Sequence, residues 1–241
     1  QYDDAATYLV VADVARGDGA DYSVFHIIKL ETMEVIGEYQ GKATLEQFAS
    51  ILDSTGREFG GAMLVVENNS LGISILEKLQ DRLYPNLYFS IKGTHEYISE
   101  AQAESIANAV PGFTTSSKTR PLIIAKMEEF VRNQLITLYS SRIIGEFKTF
   151  IWNNNRAQAM RSYNDDLVIA LAIACWVKDT ALTVNLREME YKKAMVSSIA
   201  VSSNNFQTTI PGMTGHNTGQ LSKEAKEIRQ QYKDFVWLVK G

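Results

Sequence analysis

The sequence is poor in the residues that build disulfides and soft-metal sites. One cysteine, Cys175, in 241 residues excludes an intrachain disulfide, and a cysteine–histidine metal site with it. Its place inside "LAIACWV" reads as a small buried apolar residue rather than a nucleophile. The three histidines, His26, His95 and His216, are scattered without ligand spacing, so structural or solvent roles are expected of them. Long hydrophobic runs are missing too. Nothing approaches the roughly 20 apolar residues that span a bilayer, and the first residues lack the basic-then-apolar pattern of a signal peptide, which predicts an intracellular protein. There is no basic excess: 24 Lys and Arg stand against 28 Asp and Glu, a net charge of −4. Any nucleic-acid binding must then come from a local basic patch. A Walker A loop is absent as well. In "GEYQGKAT" the glycine spacing is one residue short, and Ala43 stands where a Ser or Thr would hold the metal. "RGDG" at Arg16–Gly19 contains an adhesion tripeptide and Asn68–Ser70 a sequon, but without a sign of secretion the glycines more simply let a turn pass close to a metal or phosphate.

What is present is an ordinary globular composition, 45% apolar and 22% charged, enough for one sizeable core. Tyr8–Ala12 is nearly all apolar, as a strand buried on both faces should be. Tyr22–Leu30 and Met33–Tyr39 are β-rich and complete a meander. Leu45, Phe48, Ala49 and Leu52 recur at helical spacing behind Thr44, with Gln47 placed for a capping box. "AMLVVE" predicts a second buried strand, "NNSLGISILEKLQDRL" a helix capped by Asn69 or Ser70, and "NLYFSIKG" a fifth strand. Residues 94–120 are polar with few periodic apolar positions and read as a functional loop, after which Pro121 opens a helix through about Leu138. The basic and aromatic stretch 141–163 predicts a short strand or hairpin, and "NDDLVIALAIACWVKD" a helix apolar nearly all round, hence buried. From about Val196 to Leu221 the composition turns to Ser, Asn, Thr and Gly, which reads as a flexible linker before a short terminal helix. The expected division is a domain over 1–195 and a linker with a docking segment over 196–241. There is no internal repeat.

Two carboxylates close apolar strands: Asp13 and Glu67. In a meander–helix–strand order the first and fourth strands lie side by side and parallel, which brings both acids to one carboxyl edge of the sheet. Asp165 and Asp166 add a third acidic point at the start of the buried helix, where the dipole favours negative charge. Each signal has an ordinary explanation, since Asp is a common turn residue and "DD" before a helix is a common cap. Their joint placement is the informative part. Crowded carboxylates repel unless a cation lies among them, and oxygen-only donors suit a hard ion, Mg²⁺ or Mn²⁺. Two such ions would support phosphodiester hydrolysis.

In this order, "VVADVARGDGADYSVFHII", "LVVENNSLGISI", "EFKTF" and "YNDDLVIALAIACW" resemble the C-terminal nuclease domain of the large terminase subunit of T-even-type tailed phages, over about residues 6–180. The resemblance implies an α/β chain of RNase H-like, resolvase-type fold, a mixed central sheet flanked by helices. It implies a metal-dependent endonuclease that cuts concatemeric double-stranded viral DNA during packaging, in the host cytoplasm, with two Mg²⁺ or Mn²⁺ ions. Carried over, Asp13, Glu67 and Asp166 match the catalytic metal-binding triad, Asp21 matches a further acidic position near the metals, and Asp165, the other member of the pair, is a further candidate metal ligand. A histidine commonly precedes that pair in the family; here Asn164 stands there. The implied partners are DNA, a packaging ATPase domain whose motifs are absent from this chain, the portal and the small terminase subunit. Lys118, Arg120, Arg142, Lys148, Arg156 and Arg161 are the candidate phosphate contacts. The alternative is a non-catalytic module of the same fold that grips DNA or the portal.

Overall fold

A computed structural model describes residues 3–15, 22–93, 96–153 and 156–180. The chain divides into two units, Gln1–Lys192 and Lys193–Gly241, and every described residue belongs to the first. The linker and docking segment expected after Val196 therefore lie outside the described residues.

The centre is a sheet of four strands: β1 (Tyr8–Asp13), β2 (Ser23–Lys29), β3 (Glu34–Gly41) and β4 (Met63–Val66). Their order is β3-β2-β1-β4, with the first three antiparallel and β4 parallel to β1. β1 reads as a continuous apolar run because both of its faces are buried. Tyr8, Val10 and Ala12 pack on one side with Phe48, Leu52, Ile75 and Leu79, while Leu9 and Val11 pack on the other with Ile123, Leu171 and Ile173. Strand alternation thus feeds two cores at once. The phosphate-loop look-alike "GEYQGKAT" is the end of β3 running into a helix cap, which accounts for its failure as a motif.

The crossover from β3 to β4 is α1 (Leu45–Glu58), and the capping box predicted at Thr44 and Gln47 is formed: Gln47 N–H donates to Thr44 Oγ1 at 3.3 Å and Thr44 N–H donates to Gln47 Oε1 at 3.1 Å. α2 (Leu71–Asp81) follows β4, with Ser70 at the cap position but at φ 42° and without a side-chain cap bond. Of the fifth strand, Leu87 bridges Leu64 in parallel, and β5 (Phe89–Ile91) then leaves for a small antiparallel sheet. That sheet corrects the expectation of a loop over 94–120. β6 (Tyr97–Ile98), a short helix α3 (Glu100–Ala103) and β7 (Ala109–Pro111) lie within it, and β6 and β7 flank β5. Strands of two or three residues carry too little periodicity to be seen.

α4 (Thr119–Arg132) starts two residues before Pro121 and stops short of Leu138. Within 141–163 the expected hairpin is present as β8 (Phe150–Asn153) and β9 (Arg156–Ala159). Ahead of it stands a helix that the sequence pattern does not predict, α5 (Ser141–Thr149). The last described element, α6 (residues 166–180), is the predicted buried helix, with Leu167 through Cys175 all buried. Cys175 lies inside it, and burial pushes its thiol up to about 12, which fits an inert core residue. Among the described residues, no helix is long and apolar enough to cross a membrane.

Candidate active site

The carboxyl ends of β1 and β4 and the start of α6 meet at one edge of the sheet. Asp13 is the last residue of β1, opposite Val24. Beyond it the chain is tied down by Ser23, whose hydroxyl accepts from Ala15 N–H at 3.1 Å and donates to Ala15 C=O at 3.2 Å. Glu67 follows β4 and is held from both sides. Its N–H donates to Ala12 C=O at 2.9 Å, while Phe113 N–H donates to Val66 C=O and Asn68 N–H to Phe113 C=O, each at 2.9 Å.

Two glycines make that placement possible. A Cβ on Gly72 would land on the Glu67 carbonyl, and one on Gly112, where φ is +80°, would run into the Val66 carbonyl and Leu76. Neither a larger residue nor, at Gly112, an ordinary backbone is compatible with such close approach.

Glu67 is 9% exposed, and Asn69 Nδ2 donates to its Oε1 at 2.8 Å. Asp13 is hydrogen-bonded to Glu67, and its carboxyl is pushed well above the usual range, first by burial, then by the charge of Glu67 and by that of Asp166. A buried carboxyl beside two others resists losing its proton. Asp166, at the start of α6, accepts the Tyr22 N–H at 3.1 Å. Asp13 is thus within electrostatic reach of both Glu67 and Asp166.

Asp165 is engaged differently. Its Oδ2 accepts from Arg120 Nη2 at 2.6 Å and from Ala159 N–H at 3.4 Å, so the two adjacent acids face different neighbours. Asp21 lies outside the described residues, as do Arg16–Gly19, His95 and His216. Asn164 is half-buried and has an interaction partner.

Beside Glu67 opens a cleft of about 410 Å³, lined among others by Asn69, Ser116, Arg120, Trp152 and Arg156. Of the six basic candidates, Arg120 and Arg156 line it. Arg120 is half-buried, tied to Asp165 and, through Nε at 3.3 Å, to Ala157 C=O. Arg142 donates to Glu38 Oε1 at 2.7 Å. Lys118, Lys148, Arg156 and Arg161 are exposed.

The sequence pattern marks Asn69 only as a helix cap and assigns no site role to Trp152 or Glu146. This buried carboxylate sits three residues after buried Ile143 on α5, and an acid on the apolar face of a helical pattern is the clue that points to it. Burial first, then the charges of Asp166 and Asp165, raise it to about 7 against the opposing hydrogen bonds from the α6 backbone.

A metal is implied by the carboxylate set, and the donors are of the right kind: three hard oxygen groups, one of which has its charge disfavoured by the other two. Among the described residues, no three His, Cys, Asp or Glu side chains are closed into a ready-made cluster. Asp13 is instead bonded to Glu67, and Asp166 to the Tyr22 N–H.

No protein-family model matches the chain. Solved structures do. The large terminase nuclease from thermophilic phage G20c with bound magnesium is similar at a TM-score of 0.57 and 19% identity, covering 72% of this chain and 82% of that one. Its cobalt-bound form gives 0.56 and 19% over the same shares. The large terminase nuclease domain of Thermus phage P74-26 gives 0.54 and 20%, covering 72% and 80%. With its β3-β2-β1-β4 order and parallel β1–β4 pair, the chain has the RNase H-like α/β fold of the large terminase nuclease domains.

Proposed function

We propose that the chain is a divalent-metal-dependent endonuclease that cuts double-stranded DNA during the packaging of a phage genome. The observation that carries this reading is the meeting of Asp13, Glu67 and Asp166 from three different elements at the carboxyl edge of the β1–β4 pair. The fold shared with terminase nucleases, one of them magnesium-bound, supports it.

In this reading Asp13, Glu67 and Asp166 hold the metal, Mg²⁺ or Mn²⁺ and two ions by preference of the chemistry, with Asp21 as a further ligand. Bound divalent ions supply activation of a water nucleophile and neutralise charge on the leaving oxygen. The remaining work belongs to the chain. Asn69 fixes the rotamer of Glu67, and the Tyr22 N–H fixes that of Asp166. Asp165 anchors Arg120 at the cleft wall, an accessory role rather than a ligand's. Exposed Arg156 in the cleft, with Lys118, Lys148 and Arg161, suits contact with phosphates. Arg120 and Arg142 serve the phosphate path only through the pairs they already make.

The proposed organisation is a nuclease unit over 1–195 and a docking segment over 196–241. The proposed partners are the packaging ATPase domain, the portal and the small terminase subunit, in the host cytoplasm. The direct test is nicking of a supercoiled plasmid with Mg²⁺ or Mn²⁺ against an EDTA control. Metal-dependent nicking supports the enzyme; binding of DNA without nicking in either metal would leave the non-catalytic module as the better reading.

A further inference from the structure

α6 is unusual in how its first turn is held. The Asp165 carbonyl takes the Ile169 N–H at 2.9 Å, which makes Asp165 the cap and places Val168 in the first turn, where a backbone N–H has no acceptor within the helix. A cap side chain ordinarily serves such a donor, but Asp165 Oδ2 is committed to Arg120 and Ala159. The acceptor for Val168 N–H comes instead from another element: Glu146 Oε2 on α5, at 3.2 Å, with the Leu167 backbone also hydrogen-bonded to that carboxyl.

A second buried side chain reaches the same turn from β2. His26, fully buried, donates through Nε2 to the Leu167 C=O at 3.0 Å. Glu146 is itself braced, its Oε1 accepting from Gln40 of β3 at 3.4 Å, whereas His26 Nδ1 makes no hydrogen bond and lies 4.0 Å from the Glu38 carboxylate, which Ser140 and Arg142 hold. Neither is needed to fill the core, where an apolar residue would avoid the desolvation of a polar group. Their shared target is the pair of residues directly after Asp166.

We propose that Glu146 and His26 are positioning residues, gripping Val168 N–H and Leu167 C=O so that the Asp166 carboxylate is presented at the fixed point where metal is held. This rests on the reading of Asp166 as a ligand. From Leu167 to Cys175 α6 is uniformly apolar, and its far end is tied by the Asp179–Lys126 ion pair at 2.9 Å, so the register of its first turn is left to these two side chains. Buried hydrogen bonds specify one register where apolar packing alone does not.

The test compares Glu146→Ala, Glu146→Gln, His26→Phe and Asp166→Asn in the full chain. Three readouts are taken: kcat and KM for plasmid cleavage, Mn²⁺ affinity by calorimetry, and thermal unfolding. Glu146→Ala and His26→Phe should each lower kcat and Mn²⁺ affinity by about 10–100-fold, the range for groups that orient a metal ligand, with KM for DNA unchanged. Glu146→Gln should restore both, because its carbonyl keeps the acceptor for Val168 N–H. If Glu146→Ala does not fold, Glu146→Met keeps the volume, lacks the acceptor and takes its place. Full kcat and Mn²⁺ affinity in the Ala or Met variant, with Asp166→Asn inactive, would overturn the positioning role and leave the site reading intact. Loss in Glu146→Gln equal to that in Glu146→Ala would overturn it as well. Cleavage by Asp166→Asn would instead remove the reading of the site on which the proposal stands.

Discussion

Asp13 pays for its position in proton affinity: it is buried against Glu67 and feels Asp166 as well. Replacing Asp13 by Asn should therefore raise thermal stability at pH 8 while reducing cleavage by more than the roughly 100-fold that outer-shell changes cost. Glu67→Gln and Asp166→Asn should abolish cleavage to the same degree. Asp165→Asn should be milder and show itself chiefly through the broken ion pair with Arg120. Plasmid nicking and differential scanning calorimetry on the four variants check this, and wild-type cleavage by any of the first three removes that residue from the site.

Two buried groups also predict opposite pH slopes. Burial lowers His26 from its ordinary 6.5. Below pH 6.5 the unfolded chain then binds a proton that the folded chain refuses, and stability falls as pH falls through that window. Glu146 is raised from 4.5 to about 7. Between those values the folded chain holds the extra proton, so stability falls as pH rises. Urea unfolding at pH 5.5 and 8 should accordingly show a flatter acid side in His26→Phe and a smaller decline toward high pH in Glu146→Gln.

Among elements, the β4–α2 turn is the least forgiving. Gly72→Ala places a methyl on the Glu67 carbonyl, a backbone atom that cannot swing aside. We expect destabilisation of about 1–3 kcal/mol, the range for overpacking, together with loss of cleavage through displacement of Glu67. α6 shows the opposite behaviour. Leu171→Ala in its buried middle should destabilise by about 2–5 kcal/mol, yet leave kcat near normal below the melting temperature. Chemical denaturation paired with cleavage rates separates a turn that carries the site from a helix segment that only packs.

For the whole molecule, a net charge of −4 means that DNA affinity must come from a few exposed cations. Lys118, Arg156 and Arg161 are exposed; Arg142 is exposed too but is paired with Glu38. Neutralising the first three together should weaken DNA binding and reduce the salt slope by roughly one unit for each phosphate no longer neutralised. Arg142→Gln should leave that slope unchanged. A slope equal to wild type in the triple variant would make these groups mere surface solvation. Deleting 196–241 tests the proposed division of the chain: metal-dependent cleavage and the main unfolding transition should survive it.

Local pattern was enough for the meander, for α1 with its Thr44 box, for α6, and for the strand-end positions of Asp13 and Glu67. These follow from periodicity, capping chemistry and the burial of β1 on both faces, all written within a few residues. The small β5–β6–β7 sheet and α5 were not legible in that way. Their strands are two or three residues long, and α5 lies in a stretch whose basic and aromatic composition suggested a hairpin alone. Which aspartate of the pair faces the other acids was likewise beyond composition. It depends on Arg120 taking Asp165 and Tyr22 N–H taking Asp166, partners 45 and 144 residues distant along the chain. The sequence by itself determined which residues could be buried, capped or charged at each element's end. Only the tertiary structure decided which of those ends meet at one edge of the sheet and which buried side chains hydrogen-bond the first turn of α6, because the meeting of distant segments is set by packing rather than by local propensity.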